Sequence, residues 1–227
     1  MNWSINFNKI LIYIDCIGLA IPLCLLIIYN RRIFFPGKKA VIIYYSIFFG
    51  VTVWATFLSA KGLYNNWVYD TLPLLLSYPL FFFFRSIPQS VVGARLSLAG
   101  LLLINLIYLL SWERAIDIPL NTEYYLYLAI FILFNAAGYL LQELRIMREG
   151  TVFGRTEFWF VATSFFYASV CTLLWSLFKY VSTRPLIKGA VFEVGHLWGI
   201  CHNTTLFISC FIFSTVIYLR KSPDYLP

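Results

Sequence analysis

A chain of 227 residues with 61% hydrophobic and 12% charged residues and a mean hydropathy of +0.79 excludes an ordinary water-soluble domain, where about a quarter of residues are charged. The net charge of +7 raises nucleic acid as a partner, but the cations stand in short breaks between apolar stretches, where they set topology and meet lipid head groups. All five cysteines (Cys16, Cys24, Cys171, Cys201, Cys210) fall inside those stretches and read as small apolar groups, which excludes a disulfide framework.

Seven apolar stretches of about 20 residues predict an all-α integral membrane protein, a seven-transmembrane-helix bundle forming one domain over 1–227. The spans are expected at 9–29, 40–60, 67–87, 96–112, 124–144, 158–181 and 197–219. Residues 1–8 lack a positive n-region, so the first stretch reads as a retained span. It carries Asp15, the only acid well inside a span, followed on its own face by Gly18 and Pro22. An acid at that depth is expected beside a wet cavity or bonded to a donor on another helix. The second span shows a polar stripe of Tyr45, Thr52, Thr56 and Ser59. Asp70 opens the third, where Pro73 and Pro79 remove backbone donors and free carbonyls for a neighbour or ligand. The fourth span is the shortest, and the fifth carries Asn135, Gly138 and Gln142. In the sixth, Ser169, Thr172, Ser176 and Lys179 recur at helical spacing. Glu193 and His196 stand just before the seventh, with His202 and Asn203 one to two turns inside it. Steps of three, four and seven keep such groups on one face, so they are expected to turn inward and bond across helices.

Placing the N-terminus outside and the C-terminus in the cytoplasm puts eleven basic residues on inner segments (Arg31, Arg32, Lys38, Lys39, Arg85, Arg95, Arg145, Arg148, Arg155, Arg220, Lys221) and six on outer ones. That bias follows the positive-inside rule. Asp15, Asp70, Ser176, Lys179, Glu193, His196, His202 and Asn203 then all fall toward the outer leaflet and are the candidate ligand-binding residues. No catalytic residue is assigned. No metal or cofactor is expected, because His196 and His202 are six apart and point in different directions, unlike a His pair four apart.

Several seven-span families fail on the residues present. Rhodopsins need a lysine inside the seventh helix. The alkaline ceramidase and adiponectin-receptor-like hydrolases need three histidines, and this chain has two. PQ-loop transporters need two Pro-Gln pairs, and only Pro88-Gln89 occurs. The chain resembles the seven-helix sensor modules of bacterial histidine kinases and related signalling proteins in span number, threading, the aromatic run Tyr78-Pro79-Leu80-Phe81-Phe82-Phe83-Phe84-Arg85 and His202-Asn203. The resemblance implies a receptor-like or sensory protein of the bacterial inner (plasma) membrane. With about eight residues after the last span, it would signal through a separate membrane or cytoplasmic partner. A small-solute or proton-coupled carrier is the alternative reading, and an integral-membrane enzyme the second alternative. The lipid bilayer is the expected partner, a small-molecule ligand a further one, and nucleic acid none.

Overall fold

The computed structural model describes residues 3–63, 65–87, 91–111, 122–146, 152–182 and 188–220. They form seven α-helices, α1 (Trp3–Ile28), α2 (Lys38–Ala60), α3 (Asn66–Ser86), α4 (Val91–Ser111), α5 (Thr122–Ile146), α6 (Thr156–Ser182) and α7 (Lys188–Leu219), with no strand among the described residues. The cause is the solvent: in hydrocarbon every backbone N–H and C=O must be paired within the chain, and a helix does this residue by residue. Six helices hold a stretch long and apolar enough to cross a membrane, and α1 adds a shorter apolar helix over Tyr13–Ile28. The chain is therefore a helical, multi-pass membrane bundle.

Each expected span ends within two residues of a helix C-terminus, but α1, α4 and α7 begin five to nine residues earlier than expected. Apolar content marks where a helix is in lipid; it does not mark where helix begins. The 32 residues of α7 make a helix about 48 Å long against a hydrocarbon core of about 30 Å, so its first turns stand outside the apolar layer. Glu193 and His196 lie in that extension.

Consecutive helices pack side by side, and α1 closes the ring against α7, where Gly18 lets the Phe207 ring approach to 3.3 Å of the site a Cβ would take. Because α3 also packs on α5, α4 is left on the outside, its apolar stretch only 22% buried against 61% for α3. Leu102, Leu103, Leu106, Leu109 and Leu110 of α4 are accordingly exposed and suited to lipid. An aromatic cluster fills the centre toward the end that carries the basic connections. Phe160 of α6 lies 4.6 Å from Phe83 of α3, 5.8 Å from Tyr44 of α2 and 5.4 Å from Phe213 of α7. Rings set edge-on or tilted in this way interlock four helices.

The expectation that the polar stripes bond across helices is met at Asn105, which accepts from the Tyr78 hydroxyl of α3, and at Thr56, which meets Cys16 of α1, but most of the hydroxyls serve their own helix. Thr52, Thr56, Thr163, Ser169, Thr172, Thr205 and Thr215 each donate to the carbonyl four residues back in their own helix, at 2.7 to 2.9 Å. Asn135 does the same with its amide N–H at 2.8 Å, while Asn105 does both, its N–H serving the Leu101 carbonyl at 2.8 Å and its Oδ1 accepting from the Tyr78 hydroxyl of α3 at 2.6 Å. A short hydroxyl or amide on a helix always has that carbonyl within reach, so lipid imposes no need for a partner helix.

Candidate functional site

Against that self-contained background, side chains that do bond between helices stand out. Asn203 of α7, with its amide oriented so that Nδ2 faces them, donates to Asp15 Oδ2 of α1 at 2.9 Å and to its own-helix Gly199 carbonyl at 3.2 Å. The neighbouring His202 points to the other side of α7, toward α6. Its Nε2 lies 3.5 Å from the Tyr167 hydroxyl and its Nδ1 3.6 Å from Cys171 Sγ. Successive helical residues are about 100° apart, so two adjacent side chains can serve two neighbouring helices. One step of sequence on α7 thus ties both seams of that helix.

The network continues around the bundle. Tyr167, Cys171 and Trp175 recur every four residues on one face of α6, and the Trp175 ring lies 6.5 Å from that of His202. Trp175 stacks on Tyr125 of α5, with centroids 4.7 Å apart and planes 21° apart. The Tyr125 hydroxyl then donates to the Tyr69 carbonyl of α3 at 2.7 Å. That carbonyl stands four residues before Pro73, which has no N–H to offer it. The expectation that a proline frees a carbonyl for a neighbour is met here. A polar and aromatic belt therefore links α1, α7, α6, α5 and α3 at one level of the bundle, toward the end away from the basic connections.

Asp15 Oδ1 is buried and has no hydrogen-bond partner among the described residues. An enclosed carboxyl with one satisfied oxygen is held chiefly by Asn203. We expect Asn203→Leu to lower bundle stability by about 1–3 kcal/mol, more than Asn135→Leu, whose amide serves only its own helix. Unfolding in mixed detergent micelles measures both, and equal losses would argue against the bond.

Next to the belt, on the inner face of α6, lies a cavity lined by Tyr44, Phe48, Leu72, Leu76, Tyr125, Tyr167, Cys171 and Trp175 among others. The room open to the centre of a water-sized sphere is about 20 Å³, enough for one or two waters. Its wall is mostly apolar, with the tyrosines and Cys171 as the polar groups.

The eight residues expected to share a pocket fall into four groups. Asp15, His202 and Asn203 meet in the belt, though Asn203, rather than His202, makes the bond to Asp15. Asp70, in the first turns of α3, is buried at 2% exposure. Ser176 is exposed on α6. Lys179, Glu193 and His196 are placed on their helices, but their side chains lie outside the described ones. Sequence reasoning passed over Tyr69, Tyr125, Tyr167 and Trp175. The step of four through Tyr167, Cys171 and Trp175 was the signal that marked one of these faces. No cluster of three or more His, Cys, Asp or Glu suited to a metal occurs among the described residues. The chain matches no known protein family, no curated protein and no solved structure.

Proposed function

We propose that the protein is a receptor-like or sensory component of the bacterial inner (plasma) membrane, with the belt as its responsive element and the basic end in the cytoplasm. The observation that carries this reading is the adjacent pair His202 and Asn203, through which α7 is bonded at once to α6 and α1. A proton or a small polar ligand that changes either bond changes the setting of α7 against both neighbours. The other end of α7 delivers the result, since Arg220 there holds the Phe153 carbonyl of the turn before α6 at 2.6 Å. A separate protein at that end then reads the change, as in the kinase-linked sensor modules the chain resembles. The interlocked apolar core around Phe160 favours this over a carrier, which needs an aqueous path through the bundle.

The proton itself is the probe for the first test. Hydrogen–deuterium exchange of the protein in nanodiscs is compared at roughly pH 7.5 and roughly pH 4, a span wide enough to change the charge of a carboxyl or an imidazole. The expected result is altered exchange at the basic ends of α6 and α7 in the wild type, lost in His202→Ala and Asp15→Asn. Unchanged exchange in the wild type, or the same response in both variants, removes the belt as the element. A pH-dye assay on sealed proteoliposomes discriminates the carrier reading: proton flux through the wild type would replace the sensor by a carrier.

The threading has its own check. On intact cells, a cysteine at Leu63 should react with an impermeant thiol reagent and one at Asn30 should not; both side chains are exposed, so the difference reports sidedness. The reverse pattern would invert the bundle.

A further inference from the structure

The connection between α1 and α2 is built in a way that the belt does not explain. Residues 33–35 run without helix or turn, and in that short segment side chains alternate: Ile33 is 4% exposed, Phe34 91% and Phe35 3%. Ile33 and Phe35 join the main core, and Gly37 behind them is pressed on Phe83 and Ser86 at the end of α3. Lys38 reaches back across the connection and donates to the carbonyls of Asn30 at 2.6 Å and Ile33 at 2.8 Å. The segment is thus clamped from two sides, and with its neighbours locked inward Phe34 is held outward. Around it Arg31, Arg32 and Lys39 are exposed, and Arg85 in the adjoining last turn of α3 is exposed too. The acids described at this end are Glu143 and Glu157, and Glu143 is already engaged by Arg155.

We propose that this connection is a binding element for anionic phospholipid, in which Phe34 enters the boundary between head groups and acyl chains while Arg31, Arg32, Lys39 and Arg85 hold the phosphates. The geometry suits a lipid surface better than bulk water. A rigidly presented aromatic ring is costly to hydrate and gains by sitting at the interface, and a group of cations beside it meets opposite charge at the same level. Charge complementarity selects anionic over zwitterionic lipid. An acidic soluble protein would meet the same cations, but Phe34 stands at a helix end of a membrane bundle, where the head-group layer is the adjacent medium.

Two measurements test it. The protein is reconstituted in nanodiscs with equal phosphatidylglycerol and phosphatidylcholine, and the lipids retained are read by native mass spectrometry. The wild type should retain phosphatidylglycerol in excess, and the combined variant R31Q/R32Q/K39Q should lose that preference by about tenfold. These substitutions leave Ile33, Phe35, Gly37 and Lys38 untouched, so the clamp stays intact. In cells, benzoylphenylalanine at position 34 should on illumination yield adducts whose added mass is an anionic glycerophospholipid. An unchanged lipid preference in the variant, an adduct with a protein, or no adduct at position 34 would each overturn the proposal.

Discussion

Gly37→Ala should destabilise the folded bundle by about 2–5 kcal/mol, the larger of two structural losses expected here. Two costs add. Gly37 caps α2 with φ of 75°, a left-handed conformation that costs an L-residue with a Cβ about 1–2 kcal/mol. The added Cβ would also stand 2.7 Å from Phe83 Cδ2 and closer still to Ser86 Oγ. Phe83 is fully buried and packs on Phe160, so it cannot yield without disturbing the aromatic cluster that joins four helices. Overpacking of that kind costs about 1–3 kcal/mol. Gly62 is the control. It too has positive φ, 70°, but nothing lies within 4 Å of its Cβ position, so Gly62→Ala should show the backbone cost alone. Denaturation in mixed micelles measures both, and equal losses would mean that the packing against α3 contributes nothing.

Arg155→Met should cost about 2–4 kcal/mol, and Glu143→Gln clearly less. Glu143 ends α5 at 6% exposure, and both of its oxygens lie 3.0 Å from Arg155 Nη1 in the turn before α6. Removing the arginine strands a buried carboxylate. Removing the carboxylate leaves a guanidinium that is 31% exposed and can reach head groups or water. The asymmetry therefore follows from burial rather than from the pair's attraction, which is the same in both directions. Close by, the Phe153 carbonyl accepts from Arg220 of α7 at 2.6 Å and from Trp159 Nε1 of α6 at 2.9 Å. Burial lowers the pKa of Arg220 from its ordinary value, and the nearby Glu157 opposes that shift. The ends of α5, α6 and α7 are thus joined by one short turn, so the Arg155 variant should also raise hydrogen exchange at the C-terminal end of α7. Exchange confined to α5 would show that the turn does not transmit.

The apolar spans and the helical fold were legible in sequence because both are set by solvent. Twenty apolar residues in a row need no partner to have their effect. The beginnings of α1, α4 and α7 were not legible, since a helix that leaves the hydrocarbon keeps its backbone bonds without keeping its apolar side chains. The site divides along the same line. Asp15, His202 and Asn203 announced themselves by type, as polar groups costly to place in lipid. That Asn203 would hold Asp15 while His202 turned to Tyr167 and Cys171 depended on the rotation of α7 between α1 and α6, which no residue of α7 encodes alone. Likewise Thr52, Ser169 and Thr172, similar in sequence to groups that bond across helices, stay with their own carbonyls. Polarity and spacing on one helix are local properties, so sequence alone determined them. Which groups meet depends on the relative rotation and level of two helices, and close packing of the whole ring decided that.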